Sequence, residues 1–275
     1  KRGYGIVVPT RAVSWVVLLV LVVPGILYAH QSIIVAISAG CAAVASSEFC
    51  RLVRRSGWQA RTWALLLSSV AAVVMIGFNI WDVSVVFFLG VLGLILIVAA
   101  IPYLFWFNFR DVSKMAFSEL VGLLYLGLTL SYIPLITVTD SGRIWLLYGL
   151  IVVSSTDTGA FIIGRLFGKH QLAPAISPAK TIEGALGGLA TGVLFSVSLS
   201  RAFSFGMGLT LSILMGGLLS VLGQVGDLAE SKLKRVARVK NSGRIIPGQG
   251  GILDRIDSVV LVLPVLYHTL SMGVT

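Results

Sequence analysis

The sequence predicts an all-α fold: a polytopic transmembrane helix bundle of about nine spans, with the N-terminus cytoplasmic and the C-terminus outside. Three observations carry this expectation. Hydrophobic residues make up 57% of the 275 and charged residues only 12%, about half the charged share of a globular protein. The apolar residues fall in runs near the ~20 needed to cross a bilayer, and mean hydropathy is +0.97. Finally, 19 of the 21 Lys and Arg residues fall on one side when the spans are threaded through a membrane, as the positive-inside rule requires. An ordinary soluble fold needs far more polar surface, so that class is excluded.

Taken in order, the predicted spans are Val13–Tyr28, Ser32–Phe49, Thr62–Ile80, Val83–Phe107, Met115–Val138, Ile144–Phe167, Ile182–Ser200, Phe203–Val225 and Ser258–Thr275. The stretch from Val13 to Phe49 is too long for one crossing and is split at Tyr28–Ser32. Only Arg143 and Arg201 fall outside; adding or removing one span would scramble this bias. No cleavable signal peptide is expected, because no clear small-residue cleavage site follows the first apolar run. Gly164/Gly168, Gly184/Gly188 and Gly188/Gly192 are four apart, a spacing that lets helices approach closely in lipid. Cys41 and Cys50 offer neither metal spacing nor a disulfide framework. The chain divides into N-terminal helices (1–110), middle helices (111–153) and a catalytic region with cytoplasmic loops (154–275).

Polar chemistry concentrates in that last region. In the first five spans Glu48, Asp82, Asp111 and Asp140 read as solvated carboxylates at span edges, and Glu119 as solvated or paired. Asp157, inside the sixth span among Ser154, Ser155, Thr156 and Thr158, is different: an ionisable residue at depth is a functional candidate by default. It is expected to face the bundle interior. Ser177-Pro-Ala-Lys180-Thr181 followed by Glu183 reads as a helix start, with a hydroxyl cap and proline in the first turn. Such an N-terminus suits a phosphate.

Residues 227–258 hold seven basic and four acidic side chains. Asp227 and Glu230 are three apart, as are Asp254 and Asp257, so each pair shares a helix face. Between them, Pro247-Gly-Gln-Gly250-Gly251 is a turn whose small residues let backbone amides approach a ligand. Hard carboxylate oxygens beside lysines and arginines describe a site for a divalent cation plus phosphates. A polybasic loop holding anionic lipid would explain the basic residues but not the paired aspartates. The three histidines are scattered, so neither zinc nor a histidine-centred triad is expected.

These residues resemble the phosphatidate cytidylyltransferases, also called CDP-diacylglycerol synthases. The resemblance rests on Ser231, Lys234-Arg235, Lys240, Pro247-Gly248, Gly250-Gly251 and Asp254-Arg255-Ile-Asp257, matching in order and spacing. Asp157-Thr-Gly-Ala, Gly164-Arg-Leu-Phe-Gly168-Lys-His, Ser177-Pro-x-Lys180-Thr-x-Glu183-Gly184 and Gly226-Asp227-x-x-Glu230-Ser231 extend it over about residues 154–258. In the amino-terminal half only Glu48-Phe-x-Arg51-Leu matches beyond hydropathy. Asn241 and Gln249 depart from the pattern, standing where the family usually has Asp and His. A glutamine amide does not titrate, so no acid–base role is assigned to the Gly-Gly turn.

What the resemblance implies is transfer of CMP from CTP to phosphatidate, giving CDP-diacylglycerol and pyrophosphate with Mg²⁺. Asp227 and Asp254 would bind metal, with Asp257 and Glu230 as alternatives or supports. Ser177, Lys180, Thr181, Lys234, Arg235 and Arg255 would contact phosphates, and Gly250 and Gly251 would line the nucleotide. Asp157 would line the cavity, orienting a lysine or binding a second cation. A homodimer in the bacterial inner membrane, active at the cytoplasmic face and indifferent to nucleic acid, completes the expectation. The rivals are a CTP-using polyprenol or phytol kinase, which needs a base for its hydroxyl, and a transporter built on Asp157. No repeat of two corresponding halves supports the transporter.

Overall fold

A computed structural model describes residues 22–58, 60–78, 113–203, 205–245 and 250–273. Its described residues are overwhelmingly helical. Helix α1 is Gln31–Arg55 and α2 is Thr62–Gly77. Helix α3 (Ser113–Gly122) runs through a π-helical segment, Leu123–Leu128, into α4, Thr129–Val138. Helix α5 is Gly142–Phe167, α6 is Ile182–Ala202 and α7 is Leu209–Val236. The short α8 (Leu253–Val260) and α9 (Val262–Ser271) close the chain. Among the described residues, five helical stretches are long and apolar enough to span a membrane: Gln31–Arg55, Phe117–Val138, Gly142–Phe167, Ile182–Ala202 and Leu209–Val236. Thr62–Gly77 and Val262–Ser271 are shorter apolar helices. The expected span at 83–107 lies outside the described residues, as does most of that at 13–28, of which 22–28 is helical.

Three departures from expectation position the site. Residues 177–181 form a strand, not a helix start. β2 (Ser177–Thr181) pairs antiparallel with β1 (Gln171–Ala173), and α6 begins only at Ile182, capped by Thr181, whose Oγ1 accepts from Gly184 N. Pro178 is at home on the edge of a two-stranded ribbon. The eighth span does not end at Val225: α7 continues to Val236, because residues 226–236 are mostly good helix formers without proline. The last helical stretch starts earlier than the expected span, at Leu253, and breaks at Leu261. Pro264 explains the break, since its ring clashes with the carbonyl four residues back and it has no N–H to donate there.

The larger core joins α4, α5, α7 and α9 with residues of α1 and α2, and α6 packs against α5 and α7 through glycines and serines. Trp145, Tyr132 and Tyr148 are fully buried, and Trp145 stacks obliquely on Phe205 with centroids 4.8 Å apart. Polar clasps cross the same interface: Tyr148 with Ser196 at 2.7 Å, and Thr156 with Ser220 at 2.8 Å. Glycines bring α5 and α6 together. A Cβ on Gly184 would lie 2.7 Å from Ala160 O, and one on Gly188 would lie 2.8 Å from Thr156 O.

Two ends of the bundle are distinguished by their polar contacts. At one, Arg143 donates to the carbonyls of Leu27 (2.7 Å) and Ala29 (2.9 Å), and Gln31 donates to Pro134 O (2.9 Å). At the other, Arg61 makes a two-pronged pair with Glu119, both contacts 2.9 Å. Glu119 is thus paired. Asp140 is exposed, as expected, and Asp82 and Asp111 lie outside the described residues.

Gly188→Val should force α5 and α6 apart, a strain of about 1–3 kcal/mol by the usual cost of overpacking. Thermal unfolding in detergent should shift down by several degrees relative to the wild type, whereas Gly217→Val, with nothing near its Cβ, should leave the transition in place.

Candidate active site

The extended α7 builds one wall. Asp227, Glu230, Ser231 and Lys234 recur at three- and four-residue spacing, so they stack on one face. Lys234 and Arg235 occupy the last turn, where the helix dipole favours cations. Asp227 Oδ2 pairs with Lys180 Nζ at 2.6 Å, and Oδ1 accepts from Ser231 Oγ at 3.3 Å. Lys234 Nζ lies between two acids, paired with Glu230 and 2.7 Å from Asp254 Oδ1.

The hairpin delivers Lys180 to this wall. Arg235 Nε donates to Ile176 O at 2.9 Å, tying the turn of the hairpin to α7. Glu183 pins its other side, accepting from Lys169 N (3.1 Å), His170 N (3.2 Å) and His170 Nδ1 (2.6 Å). Ser177 is half-buried in β2. Thr181 Oγ1, expected to meet phosphate, accepts from Gly184 N as a helix cap.

Asp254, on the first turn of α8, is the most heavily bonded carboxylate here. Its Oδ2 accepts from Ser242 N (2.9 Å), Ser242 Oγ (3.0 Å) and Gly251 N (2.8 Å), while Oδ1 takes Lys234. Half-burial alone would raise its pKa; the Gly251 amide and Lys234 outweigh that and hold it down at about 2. The Gly251 amide is therefore spent on Asp254 rather than aimed at a ligand. Gly250 has φ +97, a left-handed turn that favours glycine. Pro247, Gly248 and Gln249 lie outside the described residues.

A second acidic pole lies beside Asp227. Gly226 has no side chain to spare: a Cβ there would overlap Asp257 O, so α7 and α8 touch backbone to backbone. Asp257 is buried, 8% exposed, with Oδ1 accepting from Ser258 N at 2.7 Å. Burial first, and then the Asp227 carboxylate, push its pKa above the usual carboxylate range. Asp157 does not face a closed interior: it is exposed, within electrostatic reach of Asp227 and Lys180. Arg255 is half-buried on α8 between the two aspartates.

The structure therefore gathers Asp157, Lys180, Asp227, Glu230, Lys234, Asp254, Arg255 and Asp257 at one end of the bundle. Among the described residues no three His, Cys, Asp or Glu side chains converge as a ready-made metal cage. Mg²⁺ needs none, since it binds through one or two carboxylates, waters and substrate phosphates. Asp227 and Asp257, two carboxylates that already repel each other, fit such an ion. Asp254, also expected as a ligand, is the more fully engaged, with four protein contacts on its oxygens against two on those of Asp227.

These motifs are set in a chain that matches the sequence profile of the cytidylyltransferase family over residues 9–272. The chain belongs to the cytidylyltransferase family. It is 50% identical over 127 residues to the phosphatidate cytidylyltransferase of Staphylococcus haemolyticus (strain JCSC1435), a stretch covering 46% of this chain and 49% of that one. Against the protein of the same name from Staphylococcus saprophyticus subsp. saprophyticus, identity is 46% over 137 residues, covering 50% and 53%. With that of Staphylococcus aureus (strain COL) it is 46% over 127 residues, covering 46% and 49%. The matches thus span about half the length of these curated relatives.

One residue was given no role by sequence reasoning, although its segment, Glu48-Phe-x-Arg51-Leu, belongs to the resemblance. Glu48 on α1, expected to be solvated at a span edge, is fully buried. Its Oε2 accepts from Ser242 Oγ (3.0 Å) and Leu253 N (2.9 Å). A signal was available: Glu48 falls on the buried stripe of Ala42, Ala45, Ser46, Phe49, Leu52 and Val53. A Cβ on Gly251 would overlap both Glu48 Oε2 and Ser242 Oγ. Gly251→Ala should accordingly loosen the loop by about 1–3 kcal/mol, about 5- to 150-fold in its opening equilibrium. Limited tryptic cleavage after Lys240 and Arg244 in detergent should rise by about that factor.

Proposed function

We propose that this protein transfers CMP from CTP to phosphatidate, giving CDP-diacylglycerol and pyrophosphate, with Mg²⁺ as cofactor. The observation that carries the reading is the convergence of Lys180, Asp227, Lys234, Asp254 and Asp257, from β2, α7 and α8, at one end of a helical bundle of the cytidylyltransferase family. The names of its relatives agree with it.

The chemistry asks little of a general base. The phosphate monoester of phosphatidate is ionised at neutral pH and attacks the α-phosphorus of CTP; one P–O bond forms and the bond to pyrophosphate breaks. The protein must bring two anions together and meet the charge that develops on the leaving group. Lys180 and Lys234, each already poised against a carboxylate, exchange that partner for phosphate oxygens when the nucleotide enters. Arg255 supplies a further cation, and Ser177 borders the same entry. Arg235 holds the hairpin that carries Lys180. Asp227 and Asp257 would hold Mg²⁺, with Asp157 at the rim orienting Lys180; bound there, the ion would offset charge on the triphosphate. Asp254 and Glu230 orient Lys234.

The membrane arrangement belongs to the same proposal: nine spans, N-terminus inside, site at the cytoplasmic face of a bacterial inner membrane, and a homodimer. The described helix ends support its alternation of sides. Ala29, Gln31, Pro134 and Arg143 meet at one end, while Arg61, Glu119 and the acidic site residues lie on helix ends of the other set, as alternate crossings require. The lipid face is open: Phe161, Leu166, Leu186 and Leu194 are all exposed.

Purified in detergent with phosphatidate, Mg²⁺ and CTP labelled at the α-phosphate, the protein should produce lipid-soluble label and release pyrophosphate. EDTA should stop the reaction and added Mg²⁺ restore it. Label reaching lipid only from the γ-phosphate would instead identify a kinase. Asp227→Asn and Asp254→Asn should each cut turnover by about 10²-fold or more without loss of folded protein. They should differ in one respect: Asp227→Asn and Asp257→Asn raise the Mg²⁺ concentration for half-maximal rate, and Asp254→Asn does not. An unchanged Mg²⁺ requirement in both of the first two would remove them as ligands.

A further inference from the structure

We infer that Glu48, on a helix outside the motif-bearing residues 154–258, is a positioning residue that sets the geometry of the phosphate-binding site from the amino-terminal half of the chain. The inference rests on the cytidylyl-transfer reading above. It starts from a costly arrangement. The Glu48 side chain is 0% exposed, and its Oε1 is buried without a hydrogen-bond partner. Arg51, the cation paired with it, is 3.8 Å away and half exposed. A buried carboxylate so poorly compensated is unfavourable, so something else in the structure depends on its presence.

What depends on it is the start of α8. Ile252, the residue preceding that helix, gives no side-chain cap; Glu48 Oε2 takes the free Leu253 N–H instead, from 205 residues away. A carboxylate at a helix N-terminus satisfies an orphan donor and opposes the dipole. The same oxygen receives Ser242 Oγ, which also lies 3.0 Å from Asp254 Oδ2. The Ser242 hydroxyl thus lies within hydrogen-bond distance of both carboxylates, with one proton to donate. Gly243 and Gly251 enclose Glu48 on both sides, and a Cβ on either would overlap its oxygens. The loop is moulded around this one side chain.

From Glu48 the contacts run through Ser242 to Asp254 and from Asp254 to Lys234. If Glu48 is removed, the loop and the first turn of α8 lose their fixed point, and Lys234 and Asp254 remain present but misplaced. Misplacement of about 1 Å costs on the order of 100-fold in rate, and it falls on turnover more than on binding.

The test uses the full chain in detergent with CTP, phosphatidate and Mg²⁺. For Glu48→Ala, kcat should fall about 100-fold while KM for CTP changes less than about threefold. Glu48→Gln keeps the acceptor oxygen and the shape, and should recover most of that loss. Independently of turnover, amide hydrogen exchange without substrate should quicken at Ser242, Gly251 and Leu253 in Glu48→Ala and stay at wild-type rates in α5 and α6. Wild-type kcat and exchange in Glu48→Ala would overturn the inference. So would a lower folded fraction whose remaining molecules turn over normally, because that is the signature of a structural role alone. A wild-type protein inactive with CTP and phosphatidate would overturn the cytidylyl-transfer reading instead, and the exchange rates alone would then decide whether Glu48 holds the loop.

Discussion

The carboxylate of Asp254 joins the loop at Ser242, the start of α8 and Lys234 on α7 in one set of contacts. Its two oxygens accept from a lysine on α7, from a loop serine twice and from the Gly251 amide. Those four donors set the depth of the loop, the start of α8 and the height of Lys234 along α7. A half-buried ion pair of this kind adds little net stability, because desolvation offsets much of the Coulomb attraction, yet losing one partner is expensive. Its value lies in specificity: Lys234 has one place to be, between Glu230 and Asp254, until an anion of higher charge arrives.

The same logic holds on the other side of the site. Lys180 travels on a hairpin too short to hold itself, and three contacts fix it: Arg235 to Ile176 O, the Glu183 cluster, and the ion pair with Asp227. The chain thereby presents two lysines, each matched to an aspartate, with Asp157 and Asp257 adding negative charge in excess of those pairs. That excess is a natural seat for a divalent cation, and the lysines are natural partners for the phosphates that come with it.

Much of this was legible in the residues. Asp227, Glu230, Lys234, Asp254 and Asp257 stood out because acids and bases at helical spacing beside a Gly-Gly turn are rare in so apolar a chain. The packing role of Gly184 and Gly188 followed from their spacing. The helix start assigned to Ser177 did not survive, since a serine, a proline and a later glutamate read alike in a capped helix and in a ribbon that precedes one. Glu48 escaped for a related reason. Near a span edge a carboxylate is ordinarily wet; the apolar stripe of α1 signals that Glu48 is covered, but not that a loop nearly two hundred residues later does the covering.

Composition and periodicity by themselves determined that this is a bundle of apolar helices with its polar chemistry in the carboxyl third. Those properties are local: transfer free energies and the helical repeat depend on neighbours in sequence. Only the tertiary structure decided which acid serves which purpose. Asp227 and Asp257 share a pole because Gly226 lets α7 and α8 touch; Asp254 turns inward to four donors; Glu48 caps a helix it does not belong to. Such roles depend on which donors reach an oxygen and how much water remains beside it, and both are set by contacts between distant segments.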